Sequence, residues 1–147
     1  MKEFKTNTPE ETIEVGKKIG LVLNPGDVVL LTGDLSAGKT TLTKGIGIAL
    51  GVKKIINSPT FTIVKGYKGE KCPLYHLDLY RLNGVNNDFD LEEYMESEGV
   101  CVIEWPFQVE EILPSEYLMV RLDRLNETDR AISITGIGRY KMIEEML

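Results

Sequence analysis

The chain has 147 residues, of which 42% are hydrophobic and 27% are charged, a balance typical of globular proteins. This length predicts one domain, residues 1–147, with its own hydrophobic core. The formal charge of −6 argues against nucleic-acid binding through bulk positive charge. With no signal-peptide pattern and no apolar stretch long enough to cross a bilayer, we expect a cytoplasmic protein without membrane contact. Cys72 and Cys101 lack the spacing of a zinc or CxxC site and are expected to be reduced thiols rather than a disulfide.

The predicted elements begin with a short edge strand at residues 1–5, followed by a helix whose start carries a capping box. Thr8 is the expected N-cap, Pro9 occupies the first helical position, and Glu11 can reach back to free backbone N–H groups. The turn residues at 24–26 are expected to end this helix.

A phosphate-binding pattern follows the next predicted strand, at 27–32. Residues 33–40 read GDLSAGKT, which matches the Walker A pattern G-x-x-x-x-G-K-[ST]. The glycines allow a tight turn in which successive N–H groups, and the N-terminus of the following helix, face phosphate oxygens. Lys39 is expected to reach the β- and γ-phosphates, and the Thr40 hydroxyl to bind Mg²⁺. No N-K-x-D motif follows to read guanine, so ATP is the expected nucleotide.

The remaining pattern alternates strands and helices, which predicts an α/β protein. The fold class we expect is a three-layer P-loop NTPase fold with a central mixed, largely parallel sheet. A continuous apolar run at 100–103 predicts a buried central strand, and two strands around the polar turn at 68–71 predict a hairpin. Helices are predicted at 39–50, 90–97, 108–113 and 139–147, and the later strands at 61–67, 74–80, 100–103, 117–122 and 131–137.

Two carboxylates are candidates for the chemistry of the loop. Glu104 ends the apolar run, and it can hold Mg²⁺ through water or orient the nucleophile; the alternative is an exposed glutamate at a strand end. Strand alternation places His76, Asp78 and Tyr80 on one face, although Asp78 can also be structural or solvated. His76, the only histidine, is expected to be a structural hydrogen-bond donor rather than a catalyst. The pattern leaves open which carboxylate binds the metal directly.

The segment 58–60 is a weaker signal for a nucleotide switch. Such switches often place a Ser or Thr hydroxyl near the γ-phosphate, and Pro59 would restrict the backbone that presents Thr60. A capped loop explains the same residues equally well.

Four motifs occur together in the order found in one known family. They read GDLSAGKTT at 33–41, NSPTF at 57–61, YHLDLYR at 75–81 and IEWP at 103–106. Together they resemble the TsaE (YjeE) family, the bacterial ATPase of tRNA threonylcarbamoyladenosine biosynthesis. The resemblance implies an ATPase that is weak alone and acts with TsaD and TsaB, the pair that transfers a threonylcarbamoyl group to adenosine beside the anticodon. It implies that tRNA is reached through this complex rather than by strong direct binding.

The resemblance also implies site residues. Lys39, Asp78 and Glu104 match the catalytic positions, and Thr40 joins the two carboxylates at the metal positions. Ser36 stands where the family commonly has glycine, and a serine is tolerated there if its φ is negative. Further nucleotide contacts are expected at Gly33, Leu35, Ser36, Ala37, Gly38, Lys39, Thr40, Thr41, Thr60 and Trp105, and Thr8 and Arg130 are candidates for contact with the adenine.

Two other functions remain open at this point. A small-molecule or nucleotide kinase uses the same loop, but the chain lacks the arginine-rich segment that such kinases close over the acceptor. A nucleotide-gated binding module without meaningful turnover is the third possibility.

Overall fold

The computed structural model describes residues 1–34, 37–57, 64–79, 93–94, 98–104 and 113–147, and its named strands form one seven-stranded sheet. In chain order the elements are β1 (Lys2–Thr6), α1 (Pro9–Val22), β2 (Val28–Gly33), α2 (Lys39–Ala49), β3 (Val64–Tyr67), β4 (Leu74–Asp78), β5 (Val100–Glu104), β6 (Tyr117–Arg124), β7 (Arg130–Ile137), a 3₁₀ turn (Gly138–Tyr140) and α3 (Lys141–Met146).

The centre of the sheet is parallel and its margins are antiparallel. The spatial order is β1-β7-β6-β2-β5-β4-β3. Strand β2 pairs in parallel with β5 and β6, and β5 pairs in parallel with β4. The outer pairs β1–β7, β6–β7 and β3–β4 are antiparallel. This arrangement confirms the predicted α/β class with a mixed sheet, and it brings the carboxyl ends of β2, β4, β5 and β6 to one edge, where α/β proteins bind ligands.

Most predicted elements agree with the structure to within two residues. The edge strand, the β3–β4 hairpin, the central strand β5 and the C-terminal helix are all confirmed. Strand β4 ends at Asp78 rather than at the predicted residue 80, and β6 continues to Arg124. The predicted helices at 90–97 and 108–113, and the start of the predicted strand at 61–67, lie largely outside the described residues.

Each face of the sheet buries its own hydrophobic cluster. On one face Val29, Leu31 and Val102 pack with side chains of α1 and α2. On the other face Leu30 and Ile103 belong to a second, smaller cluster. Neighbouring residues of β2 and β5 therefore alternate between the two clusters, and both are buried because parallel strands are covered on both faces.

Helices α1 and α2 approach each other closely through glycine. A side chain at Gly45 would collide with the carbonyl oxygen of Ile13, and one at Gly16 would collide with that of Leu42. The two backbones are therefore in direct contact. This packing fixes the start of α1 relative to the start of α2, and both starts take part in the site described below.

Tyr140 links the end of the chain to the start of β2. Its buried hydroxyl accepts a hydrogen bond from the Val28 N–H at 2.8 Å and one from Arg139 Nη2 at 2.7 Å. Arg139 also donates from Nη1 to Asp27 Oδ1 at 3.0 Å. Burial raises the pKa of Tyr140 to about 12, so this hydroxyl keeps its proton at neutral pH.

Replacing Tyr140 with phenylalanine should lower the free energy of unfolding by about 1–3 kcal/mol, because the Val28 N–H would lose its acceptor inside the protein. Urea denaturation measures this difference. Tyr117→Phe is the matched control, since that tyrosine is only partly buried, and its effect should stay within about 0.5 kcal/mol. Equal losses for the two variants would contradict the assigned role of the Tyr140 hydroxyl.

The two cysteines agree with the expectation of reduced thiols. Cys72 and Cys101 are free and buried. Burial raises the pKa of both thiols, that of Cys101 to about 12, which makes them poor nucleophiles. None of the helices in the described part of the chain is long and apolar enough to span a bilayer.

Candidate functional site

The phosphate-binding pattern lies where the parallel strand β2 passes into α2. Gly33 has a φ of +141° and Gly38 a φ of +101°, values that residues with a side chain rarely adopt. At Gly33 a side chain would also collide with the carbonyl oxygen of Leu122 on β6. The two glycines of the Walker A pattern are therefore required by the backbone itself. Leu35 and Ser36, and with them the expectation at Ser36, lie outside the described residues.

Lys39 is folded back over this turn. It begins α2, its side chain is only 4% exposed, and its Nζ donates a hydrogen bond to the Gly33 carbonyl at 2.7 Å. The first turn of α2 contains no acidic residue, so nothing there offsets the positive end of the helix dipole. Thr40 and Thr41 are partly buried in the same turn. A cation and a helix N-terminus thus share one location, an arrangement that favours an anionic ligand.

Asp78 and Glu104 occupy the ends of neighbouring parallel strands. They are register partners in the β4–β5 pair, and Glu104 is also the register partner of Leu31 on β2. Leu31 precedes Gly33 by two residues, so both carboxylates lie at the edge of the sheet where the phosphate-binding turn begins. The parallel topology therefore brings together the loop and the two acidic residues that the sequence singled out.

Both carboxylates are buried, which excludes the solvated alternatives. Asp78 is 6% exposed and Glu104 is 5% exposed. The alternative of an exposed glutamate at a strand end is therefore excluded, because β5 lies between β2 and β4 and both of its faces are covered. A solvated Asp78 is wrong for a similar reason. Buried carboxylates of this kind require cations or hydrogen-bond donors close by.

The oxygen atoms at the edge of the sheet suit Mg²⁺ that is bound partly by protein and partly by a ligand. Thr40, Asp78 and Glu104 offer a hydroxyl and two carboxylates, and Mg²⁺ usually takes one or two carboxylates together with substrate phosphates and water. Within the described ranges, no group of three His, Cys, Asp or Glu side chains forms a metal site by itself. A hydroxyl and two carboxylates are oxygen ligands of the kind that Mg²⁺ takes together with phosphate oxygens.

A cleft of about 310 Å³ opens beside the loop, and Thr8 and Arg130 both line it. The antiparallel pairing of β1 with β7 makes Thr6 and Arg130 register partners, which brings the start of α1 next to the β6–β7 turn. Gly38 and Thr41 line the same cleft. The structure thus places both adenine candidates beside the phosphate-binding turn.

The polar groups of the cleft are held in place by local hydrogen bonds. Thr8 Oγ1 accepts from the Glu11 N–H at 3.1 Å as the predicted N-cap, which leaves its proton to donate elsewhere. Glu11 reaches back to the N–H of Asn7, at 2.6 Å. Arg130 Nη1 donates to the carbonyl oxygens of Asn126 and Asp129, at 2.9 and 3.0 Å.

Sequence reasoning missed several residues that line the cleft. Asn7, Glu127 and Thr128 face it together with the predicted pair. Glu127 and Thr128 lie in the polar stretch that was predicted only as a turn, and Asn7 precedes the predicted N-cap. The pairing of the first and last strands, β1 and β7, could have identified them, because it places Asn7 next to the turn that contains Glu127 and Thr128.

Four of the predicted contacts, Leu35, Ser36, Thr60 and Trp105, lie outside the described residues. Ala37 is described and is fully buried directly before Gly38.

Comparison with known proteins identifies the family. Residues 6–132 match the family model described as "Threonylcarbamoyl adenosine biosynthesis protein TsaE". The chain is 46% identical over 150 residues to the tRNA threonylcarbamoyladenosine biosynthesis protein TsaE of Bacillus subtilis, an alignment that covers 100% of this chain and 95% of that protein. A protein of the same name from Treponema pallidum is 38% identical over 131 residues, with 88% and 96% covered.

A solved structure agrees with these matches. The crystal structure of YdiB from Bacillus subtilis superposes with a TM-score of 0.86 at 41% identity, covering 99% of this chain and 93% of that one. The similarity extends over nearly the whole of both chains and confirms the predicted P-loop NTPase fold. Sequence and structure therefore agree that the chain belongs to the TsaE family.

Proposed function

We propose that the chain is a Mg²⁺-dependent ATPase required to form N6-threonylcarbamoyladenosine in tRNA, and that it acts with TsaD and TsaB. The observation that carries the ATPase proposal is the arrangement of the site, in which the Walker A turn lies between the buried pair Asp78–Glu104 and an open cleft. The names of the relatives support the pathway, since they are described as tRNA threonylcarbamoyladenosine biosynthesis proteins.

The residues of the loop hold the triphosphate in this proposal. Lys39 Nζ leaves the Gly33 carbonyl for the β- and γ-phosphate oxygens, and the backbone N–H groups before α2 bind the same phosphates. Mg²⁺ held by Thr40 and one of the two carboxylates would neutralise charge that develops on the phosphates.

Glu104 has a separate role from the loop. Its carboxylate accepts a hydrogen bond from the attacking water and orients it toward the γ-phosphate, while Asp78 on the neighbouring strand contributes to the metal environment. Burial strengthens these electrostatic effects because solvent does not screen them.

The cleft receives the remainder of the nucleotide. Thr8 and Arg130 are positioned to contact the base or ribose, because they line the cleft next to Gly38 and Thr41. The Thr8 hydroxyl can donate to a ring nitrogen, and the planar Arg130 guanidinium can stack on a base. We expect this activity in the cytoplasm, where tRNA is modified.

The decisive experiment measures phosphate release from ATP by the purified chain, alone and with TsaD, TsaB and tRNA. Slow release alone and strong stimulation by the partners are expected, together with dependence on Mg²⁺. Unchanged, negligible turnover with the partners would contradict the ATPase role and favour a nucleotide-gated binding module. Acceptor-dependent ADP release without the partners would instead indicate a kinase.

Direct binding of tRNA by the isolated chain should be weak, because the formal charge is −6 and phosphate contacts supply most non-specific affinity. Filter binding or fluorescence anisotropy at several salt concentrations measures this affinity. Nanomolar binding that weakens steeply with added salt would contradict the prediction, and would mean that this chain itself provides a basic tRNA surface.

A further inference from the structure

The chain contains a single histidine, and it is deeply buried. His76 lies on β4, two residues before Asp78, and its side chain is 0% exposed. Neither ring nitrogen has a hydrogen-bond partner within the part of the chain that the structure describes. Burying a polar group without a partner is unfavourable. An imidazole in this position therefore points to a role that packing alone does not explain.

The carboxylate of Glu104 lies close to this imidazole. His76 Nε2 lies 3.7 Å from Glu104 Oε1, and the side chain of Glu104 is only 7% exposed. A hydrogen bond between these atoms would need an approach of about 0.7 Å. Hydrogen bonds at catalytic sites are often long in the free enzyme and shorten when substrate binds.

The strand register explains why these two side chains meet. His76 is the register partner of Val102, and Asp78 is the register partner of Glu104. Positions two residues apart share a face of a strand, so His76, Asp78, Val102 and Glu104 lie on the same face of the sheet. His76 is therefore located behind the carboxylates, toward the interior of the protein.

We propose that His76 is a positioning residue for Glu104, an inference that rests on the proposed function. With its proton on Nε2, the imidazole donates to Glu104 Oε1 and fixes the orientation in which this carboxylate accepts a hydrogen bond from the attacking water. His76 does not touch the substrate. It restricts the rotation of a buried carboxylate, which would otherwise sample orientations that are unsuitable for the reaction.

Three variants separate this role from simple packing. His76→Gln places an amide N–H near the position of Nε2, His76→Asn places one near Nδ1, and His76→Leu removes the donor. With the TsaD–TsaB pair and tRNA present, His76→Leu and His76→Asn should lose roughly 10- to 100-fold in kcat, the range typical of groups that orient a catalytic ligand. KM for ATP should change little, because the phosphate contacts remain, and His76→Gln should recover most of kcat. Equal kcat for all three variants would overturn the proposal.

A spectroscopic measurement tests the hydrogen bond without relying on turnover. Because the chain has one histidine, ¹⁵N-labelled full-length protein gives one pair of imidazole resonances. In mildly alkaline buffer these should show the tautomer protonated at Nε2, and its proton should move downfield when Mg·ADP is added. Glu104→Ala should shift the same signals, whereas Glu98→Ala, at the exposed residue before β5, should leave them unchanged. A tautomer protonated at Nδ1, or no response to Glu104→Ala, would refute the contact.

The two experiments distinguish the failure of this inference from the failure of the proposed function. If the wild-type chain hydrolyses ATP with its partners but the His76 signals do not respond to Glu104→Ala, the positioning role alone is wrong. If the wild-type chain does not hydrolyse ATP under any condition, the proposed function is wrong, and the resonances still report whether His76 and Glu104 form a hydrogen bond.

Discussion

Replacing Lys39 with alanine is expected to reduce ATP hydrolysis in the assembled complex by about 10²- to 10³-fold, the loss that follows removal of one preorganised donor from a developing charge. Triphosphate binding should weaken as well. Lys39 is the cation of the Walker A pattern, its ammonium group is buried at the start of α2, and it contacts the turn directly. Phosphate release and equilibrium binding of a fluorescent ATP analogue measure the two effects.

The variants must separate loss of the ammonium group from loss of the buried side-chain stem. Lys39 Nζ also donates to Gly33, so alanine could disturb the turn. Lys39→Met keeps most of the buried apolar stem and removes the ammonium group, with both its charge and its hydrogen bond to Gly33. Lys44→Met removes a lysine from the same helix outside the loop. We expect Lys39→Met to behave like Lys39→Ala and Lys44→Met to behave like the wild type. Wild-type hydrolysis by both Lys39 variants would exclude the proposed loop mechanism.

Glu104→Gln should also abolish most hydrolysis, with a loss of about 10²-fold or more in kcat and a smaller change in KM, because it removes the group that orients water while leaving the phosphate contacts. The same variant should unfold at an equal or higher temperature. Glu104 and Asp78 are buried register partners on adjacent strands, and an amide at position 104 removes any repulsion between two carboxylates placed opposite each other. Thermal unfolding and steady-state kinetics of one preparation test both statements.

The combination of higher stability and lower activity is the distinctive outcome for Glu104→Gln. A variant that lost activity through misfolding would be less stable than the wild type. Glu98→Gln is the control, since this exposed glutamate lies two residues before the start of β5, away from Glu104 at its end, and it should change neither quantity. Full activity of Glu104→Gln in the complex would exclude Glu104 as the group that orients water.

The local parts of the site could be predicted because short patterns determine them. The Walker A turn depends on glycines at two fixed positions, and both adopt the backbone angles that only glycine tolerates readily. Strand β5 could be predicted from four consecutive apolar residues, which also identified Glu104 as the residue at its end. These features need no knowledge of the rest of the chain.

The features of the site that depend on the order of the strands in the sheet could not be predicted from local sequence patterns. Alternation placed Asp78 on the correct face of β4, but its burial follows from the position of β4 beside β5 and under the packed helices. The lining of the cleft by Asn7 and Thr128 depends on the pairing of β1 with β7, which joins segments more than 100 residues apart. Pairings of this kind are decided by the whole fold.

The two helices that begin at the cleft, α1 and α2, differ in the charge of their first turns. The first turn of α1 contains Glu10 and Glu11, so its own carboxylates already offset the positive end of its dipole. The first turn of α2 contains no acid and begins with Lys39. The electrostatic potential is therefore more positive at the start of α2 than at the start of α1. An elongated ligand with one anionic end would place that end at α2 and its uncharged end beside α1. In the proposed function, this difference between the two helices would set the direction in which a nucleotide lies before any contact with the base is made.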